Sequence, residues 1–82
     1  MANLVQVTLD QDGLTASRAK TREHDLVMDR PSAKGGENKG PMGGEVLLMG
    51  LGGCFMSNLL AAAQARDMAL GGVHLDISGT LD

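Results

Sequence analysis

Hydrophobic and polar positions alternate along the first third of the chain. Residues 3–9, Asn-Leu-Val-Gln-Val-Thr-Leu, are rich in β-branched types and predict a strand. Asp10-Gln11-Asp12-Gly13 predicts a turn, with Asp12-Gly13 a strong hairpin signal. Leu14 to Lys20 returns as a second, more polar strand, and Thr21 to Asp29 forms a third. In that third run Leu26 and Met28 share a face with Arg22 and His24, while Glu23, Asp25, Val27 and Asp29 share the other. The face with Leu26 and Met28 is expected inside, which sends Arg22 and His24 inward near one end of the sheet.

The period then changes. Pro31 ends the strand, and residues 31–44 form a loop in which five of the last ten positions are glycine. A loop this long in a small domain is functional or mobile. It matches neither a phosphate loop nor a dinucleotide fingerprint. Glu45 to about Met68 predicts a long helix, with Glu45 placed favourably in its first turn and Gly71-Gly72 closing it. Its apolar residues, from Val46 to Leu60, wrap most of the circumference. A helix apolar nearly all round is a buried one. Gly50, Gly52 and Gly53 each cost roughly 1 kcal/mol against alanine in a helix, so close approach of another backbone is expected there. Val73 to Leu81 alternates again and predicts a last strand. The fold class is therefore α+β: a three-stranded antiparallel meander, a glycine-rich loop, a long buried helix and a C-terminal strand.

Composition sharpens this picture. The 82 residues form one domain at most and hold one Phe, no Trp and no Tyr, although 43% are hydrophobic. A chain of about 60 residues buries only roughly 60% of its unfolded surface, and this one is little longer. It cannot surround such a helix, so a partner chain or further sequence is expected to complete the core. A disordered tail is excluded by the apolar content, and a disulfide-stapled fold by the single cysteine. The net charge is −3, with the seven Lys and Arg scattered and no aromatic platform, which argues against nucleic acid. The N-terminus lacks the features of a secretory signal. Val46 to Ala65 is apolar enough to suggest a membrane span, but Gly50, Gly52, Gly53, Ser57, Asn58 and Gln64 interrupt it and no aromatic belt flanks it. The expectation is a cytoplasmic protein with a free thiol and no membrane partner.

Cys54 is the residue with the most chemistry to offer. On a helix its neighbours are Leu47, Gly50, Leu51, Ser57, Asn58 and Ala61, a small and mildly polar strip. A buried, inert cysteine is the commonest state of such a residue. A nucleophilic one needs a cation, because Cys54 lies too deep in the helix to gain from its N-terminal dipole. Arg22 is the first candidate, with Arg18 and Arg30 behind it. Glu45 stands nine residues before Cys54, roughly 13.5 Å along the axis and half a turn out of phase, so it can orient an arginine but not touch the sulfur. His24, His74 and Cys54 lack any zinc-ligand spacing, and neither a metal nor a cofactor is expected.

The ordered set Asp29-Arg30-Pro31, Gly35-Gly36, Gly40-Pro41 and Glu45-Val46-Leu47-Leu48-Met49-Gly50-Leu51-Gly52-Gly53-Cys54 resembles the OsmC/Ohr family of osmotically induced and organic-hydroperoxide-resistance proteins. The similarity covers about residues 22–82. It implies an α+β fold in an intertwined homodimer, and a thiol peroxidase that reduces organic hydroperoxides as part of an antioxidant, oxidative-stress response. Cys54 falls on the family's peroxidatic cysteine and Glu45 on or beside the glutamate that partners a catalytic arginine, for which Arg22 or Arg18 would serve. Family members continue into a second half with a resolving cysteine. The expectation here is thus a single OsmC-like domain over 1–82, short or truncated at its C-terminus, whose sulfenic acid is reduced by an external thiol. The alternatives are a non-catalytic OsmC-like dimer that binds a small apolar ligand, and a structural fragment without activity.

Overall fold

The computed structural model describes residues 3–80. It divides into two compact units, Met1–Gly43 and Gly44–Asp82. An antiparallel sheet and one long helix confirm the α+β class.

The first unit is a meander of β1 (Thr8–Gln11), β2 (Ser17–Thr21) and β3 (His24–Met28), in that spatial order. Thr8 pairs with Lys20 and Gln11 with Ser17, so β1 starts later than the alternating pattern predicts and takes in Asp10 and Gln11. The reason lies in its partner: β2 ends at Thr21, where the chain turns, and no strand remains to pair with residues 3–6. The Thr21 hydroxyl does reach back, donating to the Gln6 carbonyl at 2.9 Å. Gly13 does occupy the first connection, with a φ of 98° that suits glycine. There the Asp12 N–H donates to the Ala16 carbonyl at 2.8 Å. The second connection is a two-residue turn, Arg22-Glu23, since Thr21 pairs directly with His24. Arg22 is therefore a turn residue and not a member of the Leu26 face. Arg22 and His24 are both exposed, so neither points inward as the alternation predicts. The buried residues described in this unit are Ala16 and Asp29.

Asp29 organises the connection that follows. Its carboxylate Oδ1 accepts from the Arg30 N–H at 2.7 Å, and Oδ2 accepts from the N–H groups of Glu37 and Lys39 at 3.2 and 3.3 Å. The Thr15 hydroxyl also donates to it. Its own N–H donates to the Pro41 carbonyl at 3.0 Å, and Asn38 N–H donates to the Arg30 carbonyl at 3.0 Å. One short 3₁₀ turn, Ser32–Lys34, closes on Gly35 with φ 89°. The connection is thus laced back onto the end of β3. Gly36 and Gly40 allow this, because a Cβ at either would overlap the carbonyl of Arg30 or of Val27.

The second unit is α1 (Gly43–Ala65) and the segment that follows it. Glu45 lies in the first turn as expected. The helix stops earlier than Gly71-Gly72. Asp67 adopts a left-handed φ of 56°, Met68 N–H donates to the Ala63 carbonyl at 2.8 Å and Asp67 N–H to the Gln64 carbonyl at 3.2 Å. This is a Schellman cap with aspartate in the position usually held by glycine. The sequence predicts a helix buried on most sides. Among the described residues, only Gly52 and Ala63 of α1 are buried. By length and composition the helix could also cross a membrane. The predicted strand from Val73 has no ladder partner among the described residues, and its final residue, Leu81, lies outside them. Residues 73–80 instead run against one face of α1, with Ile77 over Gly52 and Gly79 against Leu48.

Candidate functional site

Cys54 sits in the middle of α1 and its thiol is exposed. The helix geometry explains the exposure. At about 100° per residue, Cys54 lies nearly opposite Gly52, two positions earlier, and it is Gly52 that Ile77 covers. The flank around the sulfur is open throughout: Leu47, Gly50, Leu51, Ser57, Asn58 and Ala61 are all exposed, Leu47 by 74% and Leu51 by 64%. Phe55, the one aromatic ring, is 60% exposed beside it. The strip of small and apolar residues expected around the thiol is present, but it faces outward.

Of Gly50, Gly52 and Gly53 in the helix interior, only Gly52 meets another segment, and what it meets is the Ile77 side chain: a Cβ there would stand 2.5 Å from Ile77 Cδ1. Gly50 and Gly53 face open space. Glu45 and Cys54 are on one regular helix, so the half-turn and two-and-a-half-turn separation holds and the two side chains do not meet within it. Glu45 is the only charged residue of α1.

The candidate cations belong to the first unit. Arg18, on β2, donates to Asp12 Oδ2 at 3.2 Å and to Asp25 Oδ2 at 3.0 Å. Hydrogen bonds donated to Asp25 and then to Asp12, with the charges of both carboxylates, raise its pKa above the ordinary arginine value. Its charge is thus matched by two carboxylates. Arg22 stands differently. It occupies the hairpin tip with φ 52°, its side chain is 71% exposed, and the nearest carboxylate, Glu23, lies at 4.0 Å. Arg30 is exposed at the mouth of the loop. His24 contacts Glu23 at 3.4 Å and His74 contacts Asp76 at 3.1 Å. No cluster of metal-ligating side chains occurs among the described residues.

Asp29 is the residue whose importance the alternation pattern hides. Burial acts to raise its pKa, but hydrogen bonds from Thr15 and from the N–H groups of Arg30, Lys39 and Glu37 outweigh that and lower it. The signal in the sequence is the Asp-x-Pro step before a loop of glycines, since aspartate before such a loop commonly caps backbone N–H groups. Asp29, Gly36, Gly40 and Pro41 all build the loop. Four of the positions that carry the OsmC/Ohr resemblance therefore have a structural explanation.

Comparison with protein-family models, with curated proteins and with solved structures returned no match.

Proposed function

We propose that this chain is a thiol-dependent peroxidase that reduces organic hydroperoxides through Cys54, acting as an OsmC-like homodimer in the cytoplasm. The observation that carries the reading is the placement of the thiol: exposed in mid-helix, on a flank of small residues bordered by Leu47, Leu51 and Phe55. A hydroperoxide with an organic tail needs an open sulfur beside apolar surface, and this flank offers both. The Cys54 thiolate attacks the terminal oxygen of R–O–O–H. The S–O bond forms, the O–O bond breaks, and the alkoxide takes a proton and leaves as the alcohol. Cys54 is then a sulfenic acid, and an external thiol reduces it with loss of water through a mixed disulfide that a second thiol resolves.

Arg22 is preferred over Arg18 as the cation of this reaction. Arg18 is already matched by Asp12 and Asp25 at 3.2 and 3.0 Å, whereas the Arg22 guanidinium projects from a turn with Glu23 at 4.0 Å. Arg22 also holds a left-handed backbone that disfavours arginine by about 1–2 kcal/mol. Such local strain at a charged, exposed residue supports a functional role. Glu45 would orient Arg22, as the family resemblance implies.

A second reading rests on the charge distribution of α1. Apart from Glu45 it offers no charged side chain, so nothing on the helix itself favours a thiolate. That suits a non-catalytic dimer in which the Cys54 flank receives a small apolar ligand. Two measurements separate the readings. For a peroxidase, iodoacetamide alkylates Cys54 at pH 6 faster than it alkylates free cysteine, and Cys54→Ser abolishes consumption of cumene hydroperoxide in the presence of a dithiol. Slow alkylation and peroxide consumption unchanged by Cys54→Ser would remove the peroxidase reading.

A further inference from the structure

The segment after α1 has the pattern of a strand and lacks the partner of one. Residues 73–80 run without a turn or bend, and every residue from 73 to 78 has negative φ. Val73 and Leu75 are half-buried, while His74 and Asp76, which alternate with them, are exposed; Ile77 is 40% exposed but its tip reaches α1. One side of the segment therefore faces α1, where Ile77 covers Gly52. Among the described residues, no backbone N–H or carbonyl from 69 to 80 makes a backbone hydrogen bond.

We propose that residues 73–77 pair with the same residues of a second copy, antiparallel and centred on Leu75. The inference deepens the homodimer of the preceding reading and rests on it only for the existence of a dimer; it needs nothing from the thiol. What selects this partner is the matching of polar with polar and aliphatic with aliphatic residues in one register. An antiparallel pair centred on Leu75 sets His74 opposite Asp76 of the other copy, twice, and Val73 opposite Ile77, twice. Directly opposed side chains lie on the same face of a sheet. The polar pairs thus all fall on the open side, where the His74 and Asp76 side chains are 82% and 92% exposed and His74 Nε2 lies 3.1 Å from Asp76 Oδ2. The aliphatic residues all fall on the helix side. A slip of one residue would instead oppose His74 to an aliphatic residue and bring polar side chains toward the helix. The two-fold axis stands perpendicular to the joined ribbon, so both copies of α1 lie on the same side of it. This gives the exposed apolar residues of each helix a neighbouring surface.

The register is tested in the full chain by disulfide trapping in a Cys54→Ser background. A chain carrying His74→Cys, mixed with one carrying Asp76→Cys and oxidised, gives a covalent dimer. The pair Asp76→Cys and Ser78→Cys, about 13 Å out of register, stays at background. The charge pairing is tested by sedimentation. His74→Asp places like charges opposite each other and weakens the dimer about tenfold. The exchange His74→Asp with Asp76→His restores it. A dimer that gives no His74–Asp76 crosslink, or whose affinity ignores these substitutions, overturns the pairing while leaving the homodimer standing. A chain that remains single at all concentrations overturns both.

Discussion

Asp29 and Arg22 lie at the two ends of β3, and each departs from what alternation alone implies. Asp29 is buried as a carboxylate because backbone donors surround it. Its folded pKa is lowered, so it contributes stability that is present above the unfolded value near 3.9 and is lost as the pH falls through the lower folded value. The amide shifts of Glu37 and Lys39 should therefore titrate together below about pH 3.9, and Asp29→Asn should remove that inflection. Gly40→Ala is a sterner test of the same loop. The atom it would overlap is the Val27 carbonyl, which cannot swing aside as a side chain can. A loss of about 1–3 kcal/mol in urea unfolding is expected, in the range of other overpacked sites. At Arg22 the expected outcome divides stability from activity. Arg22→Asn should leave stability unchanged or higher, because asparagine tolerates the left-handed turn, while peroxide turnover falls by at least tenfold. Equal turnover in that variant would remove Arg22 from the mechanism.

At the scale of elements, α1 is a helix with one packed edge. Gly44, Leu48, Gly52, Met56 and Ala63 share one side and are less exposed than most of the helix; Val46 is the one half-buried position off that side. The segment 73–80 covers that side near Gly52 and Leu48. The end of the helix carries a mismatch: Asp67 takes the left-handed position of the cap and adds a negative charge at the negative pole. Asp67→Gly should relieve both and raise stability by about 1 kcal/mol, read as a higher urea midpoint at constant m-value. The meander differs in kind. Its strands are short, four or five residues each, and their hydrogen bonds rather than a shared apolar face hold them.

For the whole molecule the governing fact is exposed apolar surface on α1. Leu47, Met49, Leu51 and Phe55 are each 60% exposed or more. Burying one such side chain is worth about 1.5–3 kcal/mol, so association of this surface is strongly favoured in water. Sedimentation should therefore show self-association, and Phe55→Glu should weaken it by at least tenfold, the equivalent of about 1.4 kcal/mol. The length of the helix also fits a bilayer. Flotation with phosphatidylcholine vesicles separates the two outcomes: a water-soluble dimer stays in the dense aqueous fraction, whereas a spanning helix rises with the lipid.

Local chemistry made several features legible in the sequence. The change of period after Pro31, the helix with Glu45 in its first turn, the turn at Gly13 and the α+β class all follow from steric and hydrogen-bonding preferences that act within a few residues. The mismatch between a helix apolar on most sides and a chain of this size was legible as well, because it needs only composition and the wheel. What remained hidden depends on which backbone lies opposite which. Residues 3–6 carry a strand pattern but have no partner, because β2 stops at Thr21. Counting by twos puts Arg22 on the Leu26 face, yet it is the hairpin tip, because the Thr21–His24 pairing assigns it to the turn. Asp29 alternates as an outward residue and is buried, because loop amides fold back onto it. A helix apolar on most sides puts Cys54 among buried side chains, but tertiary packing places Ile77 on the opposite side of the helix and leaves the thiol open. Periodicity fixes what a residue's neighbours along the chain are; only long-range pairing decides which of its sides is covered.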